Sequence, residues 1–297
     1  AEAHLVAIKL EPENLMHCFY LTELKKSFLD KNIKNKTKKI LNNNPHQLNL
    51  VFGNFLLSRY EREEKNYKKE FGSLTSAHKN YFNLKKEKFD LGVKYCFEDV
   101  LQITNFAVLE SAKKNSDHKI KPIFIIGVPR SGSTLVEKVI GSGEKNIAMG
   151  EEISVLENFI NNKILEKKSL NLGDVKIFRE ELIDVYKEKG LIEEVNNFIF
   201  TDKSLNNFFY LELINKIFPG AKIINCKRKV ISSIMSIFQN NLTELAWAHN
   251  LENIFKYFDN YFQIIDNFEK KHPNSIYNLD FEKFTNNPEE ESKKLMF

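Results

Sequence analysis

The sequence predicts an α/β fold, a parallel sheet flanked by helices and preceded by an all-α segment. Three observations carry this. Apolar residues recur at three- and four-residue spacing through residues 1–90, the pattern of helices that pack on one face. From residue 122 onward, short β-type runs alternate with longer helical ones, which requires parallel strands joined through helices. The first of those runs ends in a loop of small and polar residues that feeds straight into a helix pattern, the place where such sheets bind ligands.

The elements follow in order. AEAHLVAIKLEPEN (1–14) joins a small-residue helix to a turn at Glu11-Pro12, and LMHCFYLTELKKSFLD (15–30) is apolar at helical spacing. NNNPHQLN (42–49) breaks the pattern and caps the next helix. Residues 48–82 read as two helices that meet near Glu64. This block resembles degenerate tetratricopeptide repeats, with Ala, Gly, Tyr and Phe at packing positions; such repeats need stacked neighbours. LGVKYCFEDVLQITNFAVLESAKKNSD (91–117) reads as one further helix and a polar link. Strands are expected at PIFIIGV (122–128), NNFIFTD (196–202), AKIINCK (221–227) and NSIYNLD (274–280). Helices are expected at 134–141, 206–218, 231–241 and, as one long helix, 246–271.

Composition excludes several classes. Lys+Arg 44 against Asp+Glu 40 leaves a net charge of +4 with both signs interspersed, which does not favour nucleic acid. Cys18, Cys96 and Cys226 are far apart, odd in number and without CxxC spacing, so inert buried thiols are expected, with no disulfide or zinc site. No HxxxH or HExxH pairing suggests a metal. No apolar run approaches about 18 residues, and the N-terminus has no basic region before an apolar core, so a cytoplasmic protein with no membrane span is expected. The chain opens at Ala1 without Met and stops at Phe297 inside a helical pattern, as a piece of a longer chain does.

Chemistry concentrates in PRSGST (129–134). Gly132 permits close approach and unusual dihedrals, Ser131, Ser133 and Thr134 add hydroxyls, and the following helix offers unpaired N–H groups to an anion. Arg130 adds a permanent charge suited to phosphate or sulfate oxygens. Gly127 and Gly132 have the separation of a Walker A loop, but Ser133 stands where the lysine belongs. The loop is therefore P-loop-like, without the usual parts for phosphoryl transfer. A second anion site is expected in KIINCKRKVISSIMSIF (222–238), where Lys227-Arg228-Lys229 end a strand and Ser232, Ser233 and Ser236 follow on a helix. Two anion sites suit a nucleotide with two separated phosphates.

At these two motifs the chain resembles sulfotransferases that use 3′-phosphoadenosine-5′-phosphosulfate. GVPRSGSTL (127–135) is similar to the family's 5′-phosphosulfate loop, and Arg228 with Ser236, eight residues on, to its 3′-phosphate pair. The resemblance is strongest to the bacterial group with tetratricopeptide repeats fused to a sulfotransferase domain and to the tyrosylprotein sulfotransferases. It covers about residues 122–295. It implies helical repeats over 1–90, a connecting helix and linker over 91–121, and a C-terminally incomplete sulfotransferase domain over 122–297.

By resemblance, Arg130, Ser131, Gly132, Ser133 and Thr134 bind the 5′-phosphosulfate, and Arg228 and Ser236 the 3′-phosphate. AMGEEIS (148–154) resembles the segment holding the family's glutamate base, which points to Glu152, with Glu151 as the alternative. Lys203 in TDKS (201–204) resembles the lysine that contacts the transferring group, and Arg130 stabilises the leaving phosphate. His249 reads as a structural histidine. No metal is implied. The expected acceptor is a hydroxyl or amine, on a peptide or protein if the helical repeats seat it; the repeats serve equally for homodimerisation. The second motif departs from the family: Lys229-Val230 follow Arg228, and Ser232 replaces an acidic residue, which is expected to loosen that turn. Two readings stay open beside the enzyme: an inactive repeat scaffold, and a P-loop nucleotide kinase, which the missing lysine opposes.

Overall fold

The computed structural model describes residues 1–43, 45–110, 120–143, 147–193 and 199–295. The chain forms two compact units, one of 1–94 with 234–255 and one of 95–233 with 256–297.

The first unit holds helices Glu2–Leu10, Leu15–Leu24, Lys31–Asn42, Gln47–Glu63, Tyr67–Leu84 and Lys86–Lys94. Local chemistry sets their starts. Asn14, Asp30, His46 and Asn66 each accept a backbone N–H of the helix that follows, removing an orphan donor. The fully buried Leu15, Phe19, Val51, Phe55, Leu56, Leu74 and Ala77 form the core of these helices. Segment 234–255 falls within the α/β portion on sequence, but its side chains pack with this unit. Phe238 stacks on His78 at 4.5 Å, and His249 stacks on Phe89 at 5.0 Å. An aromatic cluster this size outweighs sequence proximity in deciding where the segment belongs.

Among the described residues the second unit holds seven strands: β1 Val108–Glu110, β2 Lys121–Gly127, β3 Ala148–Met149, β4 Asn171–Asp174, β5 Ile199–Asp202, β6 Lys222–Lys227 and β7 Ile276–Asp280. β1 and β4 pair by themselves. The others form one sheet in the order β3-β5-β2-β6-β7, with every neighbour parallel. β2 is buried along all but its first residue, which explains its unbroken apolar run. One face of the sheet packs Ile123, Ile125 and Ile224 against Val136 and Ile140 of helix Ser133–Gly141 and against Phe284. On the other face Phe124 meets Phe218. Each such side chain contributes about 1.5–3 kcal/mol through burial.

Some elements differ from the sequence patterns. The span 246–271 is a short 3₁₀ turn at Ala246–His249 and then helix Leu251–Lys271, because Asn250 accepts the N–H of Glu252 at 2.8 Å and restarts the helix. Span 206–218 likewise divides into a 3₁₀ turn, Leu205–Tyr210, and helix Leu211–Ile217. Residues 91–110 hold a π-type turn at Tyr95–Asp99, helix Val100–Phe106 and β1; residues 111–119 of the expected link lie outside the described residues, as do 196–198 of the expected second strand. Helix Lys31–Asn42 lies within the stretch 1–90 that reads as helical, whereas helices Val155–Lys167 and Val175–Glu188 lie where the sequence patterns assign no element.

Candidate active site

The central strands β5, β2 and β6 end side by side, and each delivers one part of the site. β2 delivers the loop 128–132 ahead of helix Ser133–Gly141. Arg130 at φ 68° and Gly132 at φ 94° are both left-handed. Left-handed residues in a tight turn fold backbone N–H groups into an anion-binding concavity. An arginine there is strained, which is the kind of outlier that accompanies function. Ser131 is wholly buried, and its Oγ has no hydrogen-bond partner among the described residues. Ser133 is buried at the helix start; Arg130 and Thr134 are exposed. A Cβ on Gly132 would stand 2.1 Å from the ring of Phe281, so no other residue fits.

β6 delivers Arg228. Its Nη1 donates to the backbone carbonyl of Arg130 at 2.8 Å, which ties the second basic motif directly to the loop. Its guanidinium lies 5.3 Å from the centre of the Phe281 ring, and its buried Nε has no hydrogen-bond partner among the described residues. The acid that the second motif lacks at Ser232 is supplied from elsewhere. The Glu282 carboxylate accepts the Lys229 backbone N–H at 3.2 Å, so the turn before helix Val230–Phe238 is held rather than loose. Ser233 of that helix is buried with its Oγ unpartnered. Ser236 lies further along, in the part of the helix that belongs to the first unit.

β5 delivers Thr201-Asp202-Lys203-Ser204, all buried. Asp202 accepts from Ser204 N and Oγ, from Asn207 and from the Tyr186 hydroxyl at 2.7 Å. Burial and Asp202 push the Tyr186 hydroxyl well above its ordinary pKa, so it stays a donor. This network fixes the strand end from which Lys203 emerges. Lys203 Nζ meets Glu152 at 2.8 Å and Glu137 at 4.0 Å. The side chain of Lys203 is 4% exposed and that of Glu152 is 51% exposed, so the pair joins a buried cation to an acid that reaches solvent.

The turn with Glu151 and Glu152 is pinned from two sides. Gly150 N–H donates to Thr201 Oγ1 at 3.1 Å, and Lys203 N–H donates to the Glu151 carbonyl at 3.0 Å. From the helix after the loop, Glu137 accepts the Glu151 N–H at 3.0 Å and the Thr201 hydroxyl at 2.7 Å. Glu151 and Ser154 are left-handed, at φ 52° and 49°. Glu137, Thr201, Phe281 and Glu282 were missed on sequence. Only Glu137 left a signal, as a lone acid on the stripe that Ser133, Val136 and Ile140 define.

His249 belongs to the first unit. Its Nδ1 lies 2.9 Å from His78 Nδ1, and its Nε2 lies 3.1 Å from the Leu242 carbonyl. Burial and the neighbouring His78 push its pKa down to about 3, so it is neutral and structural. The three cysteines are buried and unbridged. Among the described residues no group of three His, Cys, Asp or Glu is placed to hold a metal ion, and no helix is long and apolar enough to cross a membrane.

The chain is similar to proteins already known. An uncharacterized protein of Aquifex aeolicus (strain VF5) is 26% identical over 261 residues, 82% of this chain but 33% of its own length. The chain thus spans about a third of that relative. The crystal structure of sulfotransferase STF1 from Mycobacterium tuberculosis H37Rv aligns over 92% of this chain and 85% of its own, at 9% identity and a TM-score of 0.40. The profile described as "Sulfotransferase family" matches residues 122–296, more than half of the chain and the whole span that carries the loop, Lys203 and Arg228. The chain belongs to the sulfotransferase family.

Proposed function

We propose that the chain moves a sulfuryl group from 3′-phosphoadenosine-5′-phosphosulfate to a hydroxyl or amine acceptor. The observation that carries this is the hydrogen bond from Arg228 to the Arg130 carbonyl. It sets two basic motifs side by side, which suits one nucleotide with two separated anionic groups. The residues fit that ligand: Ser131 Oγ and Arg228 Nε are buried polar atoms without partners among the described residues, and anionic oxygens are what would satisfy them.

When bound, the donor supplies a sulfuryl group on a phosphate leaving group. The protein does the rest. Backbone N–H groups of the loop and Ser131, Ser133 and Thr134 hold the phosphosulfate end at the start of helix Ser133–Gly141. Arg130 places fixed positive charge where the leaving phosphate gains negative charge. Arg228 grips the 3′-phosphate, with Ser236 as its partner in the same role, and so orients the donor. Lys203 faces the transferring group as a buried ammonium. Glu152 takes the acceptor's proton. Its side chain reaches Lys203, whereas Glu151 is engaged through its backbone, and this favours Glu152 as the base. The helices of the first unit, read as degenerate tetratricopeptide pairs, seat a peptide or protein acceptor.

Calorimetric titration with 3′-phosphoadenosine-5′-phosphate tests this, with ATP as the comparison and magnesium absent. Micromolar binding of the bisphosphate, with ATP at least about tenfold weaker, is expected (about 1.4 kcal/mol of discrimination). Equal or tighter binding of ATP would overturn the proposal.

A further inference from the structure

Glu137 belongs to neither anion motif, yet its carboxylate meets Glu151, Thr201 and Lys203, groups from two other elements of the site. It is 2% exposed. Burying a carboxylate is costly unless its lone pairs are taken up. Here they are, by the Glu151 N–H, the Thr201 hydroxyl and, at 4.0 Å, the Lys203 ammonium. Core packing alone does not require an acid at this position. An apolar side chain would complete the stripe of Val136 and Ile140 against the sheet.

What the acid adds is a connection between elements. The helix that carries Glu137 starts at the anion loop, four residues earlier at Ser133. The Glu151 amide it holds is one residue from Glu152. The hydroxyl it receives belongs to Thr201, which in turn holds the Gly150 amide. One carboxylate therefore fixes the distance between the loop and the acid turn. That turn includes two left-handed non-glycine residues, which persist only where surrounding structure imposes them.

We propose that Glu137 is a positioning residue that transmits occupation of the anion loop to the turn bearing Glu152. This rests on the donor-binding reading above for its second half only. A ligand that stiffens the first turn of helix Ser133–Gly141 stiffens the Glu137 carboxylate, and through one hydrogen bond the Glu151 amide. The coupling runs through contiguous, directly bonded groups.

Amide hydrogen exchange over residues 147–156 tests it, with and without 3′-phosphoadenosine-5′-phosphate. Three proteins are compared: wild type, Glu137→Met and Glu137→Gln. Met matches the volume and removes both acceptor oxygens; Gln keeps one. In unliganded Glu137→Met, exchange at Gly150 and Glu151 is expected to rise at least about tenfold, with Glu137→Gln near wild type. In wild type the bisphosphate slows the same amides, and in Glu137→Met it binds within about twofold but no longer slows them. Wild-type exchange and protection in Glu137→Met would overturn the proposal. So would a rise spread evenly over the sheet, which marks a merely structural residue. If the bisphosphate fails to bind wild type, the donor reading falls, and the unliganded comparison alone decides whether Glu137 holds the turn. Should Glu137→Met not fold, Thr201→Val replaces it, with faster exchange at Gly150 expected and unchanged exchange contrary.

Discussion

Replacing Gly150 by alanine tests how tightly the acid turn is held against β5. The added Cβ would lie 2.2 Å from the Thr201 carbonyl oxygen, 3.2 Å from Leu191 Cδ1 and 3.3 Å from the Thr201 carbonyl carbon. The nearest obstacle is backbone of a central strand, which cannot rotate away as a side chain can. Restoring ordinary contact needs a displacement of about 1 Å, because overpacked interiors yield by backbone shifts that cost about 1–3 kcal/mol. The same displacement stretches three hydrogen bonds: Gly150 N–H to Thr201, Glu151 N–H to Glu137, and Lys203 N–H to Glu151. At about 0.5–1.5 kcal/mol each, these set an upper range of about 1.5–4.5 kcal/mol. The chain escapes the larger cost by letting the turn go, so a loss of about 2–3 kcal/mol is expected on urea unfolding. Catalytic turnover should fall about a hundredfold, the usual consequence of a 1 Å misplacement. Affinity for 3′-phosphoadenosine-5′-phosphate should stay within about twofold, because the loop on β2 is untouched. A Gly150→Ala protein of wild-type stability would refute the reasoning. It would mean that the turn is not seated on Thr201 at all.

Three further outcomes are expected. Arg228→Ala removes a charge-assisted contact and the link to the Arg130 carbonyl, and should weaken binding of the bisphosphate by about 1.5–3 kcal/mol, read by calorimetry; unchanged affinity excludes Arg228 from the nucleotide site. Glu152→Gln should abolish sulfuryl transfer, followed as radiolabelled sulfate, while bisphosphate affinity stays within about twofold; full activity moves the base to Glu151. Burial pushes His78 down to about 4 and, with His78 beside it, His249 down to about 3, against an ordinary 6.5, so the unfolded chain binds protons that the folded first unit excludes. Stability should therefore be full above about pH 6.5 and fall as pH drops toward 4, by about 3 kcal/mol for His78 alone. Thermal unfolding across that range checks it, and His78→Phe with His249→Leu should flatten the dependence.

How much of this the sequence shows depends on how local each signal is. The strand, loop and helix at 121–141 are contiguous, and glycine spacing with an apolar run reveals all three. Lys203 and Arg228 each follow a strand directly, so their positions at strand ends were legible as well. Glu282 and Phe281 were not, because they reach Lys229 and Gly132 only after β7 is laid beside β6. The allegiance of 234–255 was also invisible: its hydrophobic spacing fits any helical partner, and only the packing of Phe238 and His249 on His78 chooses one. Helix breaks at Asn250 and after Tyr210 are hidden because apolar spacing continues across both; at Asn250 the restart depends on one side-chain oxygen, which accepts the Glu252 N–H.

Arg130, Glu151 and Ser154 sit where glycine would be at ease. Each costs the folded chain about 1–2 kcal/mol relative to a residue without a Cβ. A laboratory selection for heat tolerance alone would therefore find these three positions early, and trade their side chains for glycine. Survivors of such a selection would fold better and keep a backbone of the same outline. The side chains of Arg130 and Ser154 would be gone, and the acid beside Glu152 with them. The most heat-resistant descendants of this chain would then be the poorest guides to its chemistry.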